Sequence, residues 1–492
     1  MSTATRGRSI RPAAPPRPPG VRAGTARHLT VLAPGALSVL LGLWGIRRQG
    51  TLWQDEAVTY DMAHRSLPDL WATLGTADVV HGLYYLLMHA VFRLWDGGLV
   101  ALRLPSVLAM AGATVGVAAL GRRLAGARAG LLAGTVFALL PAVQRYAQEG
   151  RSYALVTALV VAQTWVLLRA CAERRGLWWT GYAALAVLSA LLHEFALPAL
   201  AAHGTTLLVA RQPRAVLKAW AGACCCAVAA VTPLVLLSMR QSGQVAWIEV
   251  SVRGDVVSFL LIAGAGPAAA RVHRRAGAHR ALGELALPLL LVPPASLLLA
   301  SAIKPLYVDR YVLYAEAGLA LLVGAALDTL WRSVRLRAVL ALAAAAAVLV
   351  AVGPVGTHLR GPTSRTDDVT AVSDAVRDTV APGEGVLFLP ASRRVWLLGQ
   401  GPAPYGAHDL ALAAAPHSSH TLYGTELPPK DIRNRMVRAP RIVVVREPAR
   451  ERHERSAREE MKEATLRDHF TRCARKTIRS ARIEVYERGD HC

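Results

Sequence analysis

Leu29–Ile46 (LTVLAPGALSVLLGLWGI) holds no charged residue, and a few positions later the chain reads Trp53-Gln54-Asp55-Glu56. A run of that length matches the ~30 Å hydrocarbon core of a bilayer at about 1.5 Å per helical residue. Ser152–Leu168 and Ala338–Gly356 are further uncharged runs, and 53% of the 492 residues are hydrophobic. Lipid offers no partner to an open sheet edge, so the spans are helices. The chain therefore reads as an α-helical polytopic membrane protein. An acidic pair directly after the first span sits at the membrane edge, facing whatever the protein handles on the far side. Asp55 is the leading candidate for a catalytic base.

The formal charge of +23 invites a nucleic-acid partner, but its distribution argues against one. Lysine occurs only at Lys218, Lys304, Lys430, Lys462 and Lys476; the rest is arginine, much of it in short clusters between apolar runs. Such clusters orient a membrane protein. The Ala- and Arg-rich, Lys-poor usage suggests a GC-rich bacterial genome. Residues 1–28, rich in Pro and Arg, read as a disordered basic cytoplasmic tail. Arg122 through Arg128, Arg169 through Arg175, Arg211 through Lys218, Arg271 through Arg280 and Arg332 through Arg337 join it in the cytoplasm. The loops around Asp55–Asp78, Arg145–Arg151, His193-Glu194, Arg240–Asp255 and Lys304–Arg310 alternate with these clusters and are expected outside. The alternation holds only if the apolar segment His81–Trp95 does not cross, which gives about 11 spans; an extra hidden pair gives about 13. Either count places the C-terminus outside, in a multi-pass plasma-membrane protein.

Residues 29–356 thus form the transmembrane part, with a first outer loop over 47–80. From 357 to 492 the composition changes to that of a small extracytoplasmic α/β domain. Asp367–Thr379 has helical apolar spacing, Gly385–Leu389 and Arg441–Val445 read as short buried strands, and Ala481–Tyr486 alternates as a half-buried strand. Glu451–Arg467 is rich in charge and helix formers. Cys224-Cys225-Cys226 lies in an apolar span, where neighbours point about 100° apart and cannot share one metal. Cys473 and Cys492 can pair if the tail lies in an oxidising compartment.

The outer loops gather one kind of chemistry: Asp55-Glu56; Asp78, His81, Tyr84 and Tyr85; Arg151 and Tyr153; His193-Glu194; and Lys304, Tyr307, Arg310 and Tyr311. A carboxylate can take a proton from an acceptor hydroxyl, fixed cations can hold a lipid-linked phosphate as it leaves, and tyrosines can orient it. Span-end residues of these types also serve as interfacial anchors; their collection on one side favours a site.

The acidic pair, Asp78-x-x-His81 before Leu83-Tyr84-Tyr85, Leu102-Arg103-Leu104-Pro105-Ser106, Gln148-Glu149-x-Arg151-Ser152-Tyr153 and Tyr307-x-x-Arg310-Tyr311 carry a resemblance. Over roughly residues 35–330 the chain resembles the family 39-type, GT-C fold glycosyltransferases, which include protein O-mannosyltransferases and the aminoarabinose transferases of lipid A. The resemblance implies a GT-C-like fold, a polyprenyl-monophosphate donor of mannose or a related sugar, transfer on the extracytoplasmic face, and inversion. Asp55 is then the base. Glu56 supports it or helps hold a divalent cation, Asp78 and His81 flank the acceptor or metal region, and Arg151, Lys304 and Arg310 face the donor phosphate. No His/Cys/carboxylate cluster has ligand spacing, so metal use stays open. Members often carry His-Pro-Pro where this chain has His81-Gly82, a looser lead into the helix. The acceptor, whether protein, lipoglycan or wall polymer, is not specified. A transporter or flippase of a lipid-linked precursor is the main alternative and predicts ionisable groups in mid-span; a scaffolding protein is a third reading.

Overall fold

The computed structural model describes residues 21–241, 252–275, 280–332, 334–398, 406–447, 456–479, 481–489 and 492. Most of the tail read as disordered, most of the Arg240–Asp255 loop, and parts of Arg271–Arg280, Arg332–Arg337 and Glu451–Arg467 lie outside these residues. Eight described helices are long and apolar enough to cross a membrane: His28–Gly50, Leu99–Ala125, Tyr153–Glu173, Arg214–Arg240, Gly254–His273, Ala281–Ala300, Asp309–Trp331 and Arg337–Leu359. Ala127–Leu139 and Pro141–Ala147 make a ninth if taken as one broken span, bent by 64°. The bend falls where Pro141 cannot continue the backbone ladder of the preceding helix. Counting the shorter apolar helices Gly176–Leu192 and Glu194–Val209 as crossings too brings the number to 11. The helix Gly82–Leu94 has 13 residues, only about 20 Å, too short to span by itself.

The central helices approach closely through small residues. A Cβ on Gly121 would sit 2.9 Å from the Gly130 backbone, and one on Gly324 would sit 2.5 Å from the backbone of Ala133. Glycine at these crossings lets backbones pack where lipid supplies no hydrophobic drive between helices.

The connections meet at two ends of the bundle. At one, Arg128 pairs with Asp328 (2.7 Å) and Arg123 donates to the Leu168 carbonyl (3.1 Å), joining three of the arginine clusters or their flanks. At the other, the loops after His28–Gly50, before Tyr153, after Leu192 and before Tyr311 come together, and the C-terminal segment folds over them. Val369 N–H donates to the Leu52 carbonyl at 2.7 Å.

Beyond Leu359 the chain builds a mixed five-stranded sheet. β1 (Gly385–Leu389), β2 (His408–Asp409), β5 (Arg441–Arg446), β6 (Phe470–Ile478) and β7 (Ala481–Arg488) lie in the order β2-β1-β5-β7-β6, while β3 (Leu412–Ala414) and β4 (Thr425–Glu426) form a separate antiparallel pair. β1 runs parallel to β2 and β5; β5–β7 and β7–β6 are antiparallel. The buried strands β1 and β5 fall on the two short runs, Gly385–Leu389 and Arg441–Val445, expected as buried strands. β6 was not legible: it is an edge strand carrying Arg472, Arg475 and Lys476, charges that keep an open edge from pairing with other chains. The helix expected at Asp367–Thr379 forms over Val369–Thr379, and the charged segment is helical over Ala457–His469. There Ser456 accepts from Glu459 N–H at 3.2 Å and so caps the helix. Cys473 and Cys492 are joined, with Cα atoms 5.2 Å apart.

Candidate functional site

Asp55 occupies the first turn of the helix Gln54–His64, where the helix dipole favours an anion. Its carboxylate, 21% exposed, faces the Arg310 guanidinium at 3.8 Å. Its carbonyl accepts from Thr59 Oγ1 at 3.0 Å. Arg151 approaches from the motif before the Tyr153–Glu173 span, donating to the Tyr85 hydroxyl (3.2 Å) and to Thr59 Oγ1 (3.4 Å). Tyr85 in turn donates to Asp78. Asp78 adopts the left-handed region (φ 58°) at the turn into Val79–His81, which brings its carboxylate back toward this hydroxyl. The His81 ring lies against His193 (centroids 5.3 Å apart), and His193 against Tyr153 (5.6 Å) and Tyr311 (4.7 Å). Arg310 Nε donates to the Tyr153 hydroxyl at 3.2 Å, and its guanidinium stands 5.8 Å from the Trp53 ring. One base candidate, two cations and a wall of imidazole and phenol groups thus form a contiguous cluster.

Glu56, expected in a catalytic or metal-holding role, is placed in a buried ion-pair network. It is fully buried and accepts from Arg103 Nε (2.8 Å) and Nη2 (2.7 Å), from Gly150 N–H (3.0 Å) and from Arg48. Burial pushes its carboxyl up, but Arg103 and Arg48 outweigh that and hold it at about 2. Arg103 also donates to the Ile46 and Thr51 carbonyls, both at 2.7 Å. The Leu102–Ser106 and Gln148–Tyr153 motifs therefore serve mainly as scaffold. Ser106 Oγ donates to the Glu149 carbonyl (2.6 Å), Gln148 Nε2 to the Gly42 and Trp44 carbonyls (2.8 and 2.6 Å), and Glu149 pairs with Arg365 (3.2 Å). Gly150 admits no side chain, because its Cβ would meet Leu102 at 2.5 Å. Of these motifs, Arg151 and Tyr153 reach the cluster.

Four further expected site residues stand apart from it. Tyr84 is fully buried in the core and packs rather than presents its hydroxyl. Glu194 accepts from Ser238 Oγ at 2.7 Å and is influenced by Lys304, so these two form a separate rim group; Lys304 is exposed. Among the described residues no contact ties Lys304 to Asp55, Arg151 or Arg310. Tyr307 is held by backbone, its N–H donating to Ser301 Oγ at 2.9 Å, and is half-buried beside the rim.

The C-terminal segment adds groups that the motif reading missed. Asp367 Oδ1 accepts the Gln54 N–H at 3.0 Å, at the start of the helix that bears Asp55. Arg393 donates to the Gln54 side-chain oxygen at 3.4 Å and to Glu447 at 2.7 Å. Tyr423 is surrounded by Asp78, Asp55, Arg393 and Arg151, and burial raises its hydroxyl. The available signal was the second acidic pair, Asp367-Asp368, which follows the last span as Asp55-Glu56 follows the first.

Burial, reinforced by neighbouring cations, pushes His81 and His193 well below the usual imidazole range, so both rings are neutral at physiological pH. They can orient and pack but do not carry charge. Among the described residues no group of three or more His, Cys, Asp or Glu is arranged to hold a metal ion. Glu56, the residue proposed to assist with a cation, has its oxygens taken by arginines and an amide. It does not fit that role.

Residues 82–241 match the sequence profile of the dolichyl-phosphate-mannose-protein mannosyltransferase family. No curated protein matches the chain by sequence. Among solved structures, ArnT from Cupriavidus metallidurans bound to undecaprenyl phosphate superposes with a TM-score of 0.56 at 14% identity, covering 92% of this chain and 97% of that one. Its apo state gives the same values. The apo oligosaccharyltransferase of Archaeoglobus fulgidus superposes at 0.50 with 12% identity, over 85% of this chain and 69% of that one. The chain has the fold of the GT-C glycosyltransferases, and the likeness to their family 39 type drawn from its motifs is borne out.

Proposed function

We propose that the protein is a membrane glycosyltransferase that moves a sugar, mannose or a related one, from a polyprenyl-phosphate donor to an acceptor hydroxyl. The observation that carries this is the juxtaposition of Asp55 and Arg310 at 3.8 Å, with Arg151 bonded into the same cluster. Asp55 takes the acceptor proton as the acceptor oxygen forms its bond to the anomeric carbon. The bond from that carbon to the phosphate oxygen breaks on the opposite face, with inversion. The phosphate departs with the bonding electrons, stabilised by Arg151 and Arg310. The profile match to a dolichyl-phosphate-mannose-dependent family and the shared fold with a protein solved with undecaprenyl phosphate support a lipid-phosphate donor.

In this reading residues 29–356 form the catalytic part, and 357–492 the extracytoplasmic domain that shapes the acceptor side. The positive-inside distribution and the Cys473–Cys492 pair, a bond that persists in oxidising compartments, support this orientation in a plasma membrane. Transport predicts mid-span ionisable groups on a path. Yet His203, within the bundle, has both ring nitrogens engaged, by Thr164 Oγ1 (2.9 Å) and the Tyr182 hydroxyl (3.0 Å). The test uses membranes carrying wild type or Asp55→Ala, given radiolabelled polyprenyl-phosphate mannose and native envelope extract. Transfer by wild type in detergent, lost in the variant at equal protein level, supports the reading. Equal transfer by both, above an empty-membrane control, overturns Asp55 as the base.

A further inference from the structure

The helix bearing Asp55 begins without a local cap. Trp53 stands at the cap position and offers no acceptor to the first-turn N–H groups. Ser, Thr, Asp or Asn would ordinarily fill that role. Here the acceptor comes from the segment that follows the last span: Asp367 Oδ1 takes the Gln54 N–H. The next residue, Asp368, caps its own helix by accepting from Ala371 N–H at 3.0 Å. The two adjacent carboxylates thus start two helices. The join is reinforced by Val369 N–H on the Leu52 carbonyl (2.7 Å) and Thr370 Oγ1 on the Gly50 carbonyl (3.2 Å). Asp367 is buried, and the charged groups facing it are Asp55, Arg393 and Asp368, with Arg48 and Arg479 acting on Asp368.

From this we infer that Asp367 is a positioning residue for the proposed base: it caps the Asp55 helix and sets the charge beside Asp55, making the site dependent on the docked C-terminal segment. The inference rests on the functional reading above only for its catalytic consequence. An ionised Asp367 places a second negative charge beside Asp55, and a protonated one removes it. Burial, with Asp55 beside it, pushes the Asp367 carboxyl up to about 7 although the Gln54 N–H opposes this. Charge at Asp367 therefore changes across neutrality, and transfer rises with pH through that range.

The experiment uses the full chain in nanodiscs as wild type, Asp367→Asn and Asp367→Ala. Deuterium uptake is followed in peptides spanning residues 50–60, and transfer from undecaprenyl-phosphate mannose to envelope extract is followed from pH 5.5 to 8.5. Asn keeps an acceptor but no charge; Ala keeps neither. Exchange at the helix start should be about 5-fold faster in Asp367→Ala, as for a lost cap, and near wild type in Asp367→Asn. The near-neutral rise in kcat should flatten in Asp367→Asn with donor KM unchanged. Wild-type exchange in Asp367→Ala overturns the cap, and a wild-type pH profile in Asp367→Asn overturns the electrostatic role. If wild type transfers nothing from this donor, the donor assignment fails, while the exchange measurement still decides whether Asp367 holds the helix.

Discussion

The two ends of the helix bundle use arginine in opposite ways. At the site end Arg48, Arg103, Arg151 and Arg365 are nearly or fully buried, and their partners are Glu56, Glu149, backbone carbonyls and the Tyr85 hydroxyl. At the other end Arg128, Arg169 and Arg332 are 52%, 41% and 66% exposed and pair with the buried Asp328 or with Glu173. A buried charge with its partner removed is destabilising, because water no longer solvates it. An exposed one is already hydrated and screened. The same residue type is therefore built into a buried ion-pair network at one end and makes exposed ion pairs at the other.

Four measurements would break or sharpen that contrast. Asp55→Asn should reduce transfer by about 10²–10⁴-fold, the range for losing a general base, with protein yield and melting unchanged; a loss below 10-fold would remove Asp55 from the mechanism. Glu56→Gln should leave Arg48 and Arg103 under-compensated and destabilise the fold by about 3–5 kcal/mol, read as a lower melting temperature in detergent. Normal stability with lost transfer would instead return Glu56 to the chemistry. Arg310→Gln should fold normally and lose about 10²–10³-fold in kcat, the magnitude of one electrostatic donor to a developing anion. Arg169→Ala, whose i,i+4 partner is Glu173, should change stability by less than about 1 kcal/mol; a larger loss would mean that the opposite end is also built on its ion pairs.

The site end should also respond to pH in two directions. Glu56, held at about 2, contributes stability present above the ordinary carboxylate range and lost as pH falls from there toward 2. Asp367, raised to about 7, does the reverse: its contribution is complete below the ordinary range and is lost as pH rises through 7. Melting curves from pH 6 to 8 should therefore fall more steeply for wild type than for Asp367→Asn. Identical slopes would mean that Asp367 is ionised throughout.

Much of this was readable in the chain itself. Uncharged runs matched to bilayer thickness announced the helices, because lipid permits no other solution for a spanning backbone. The alternation of arginine clusters with mixed-charge loops placed Asp55, Arg151, His193 and Arg310 on one side, and in the structure these residues meet at one end of the bundle. The buried strands β1 and β5 were visible as short apolar runs. What the local pattern could not distinguish was Asp55 from Glu56: adjacent carboxylates differ only in which way the helix turns them. One faces the cluster while the other meets Arg103, 47 residues away in sequence. Tyr84 and Tyr85 differ in the same way.

Sequence alone determined the class of molecule and the residue types at its working end, since hydrophobic length and charge placement are local properties. Only the tertiary structure decided which of those residues pair with one another, that Glu56 sits in a buried ion-pair network, that Lys304 stands apart, and that the missing cap of the Asp55 helix is supplied by Asp367 from 313 residues away. Pairing depends on distances between segments that the chain's local pattern does not encode, and burial then sets whether each charge is free to react.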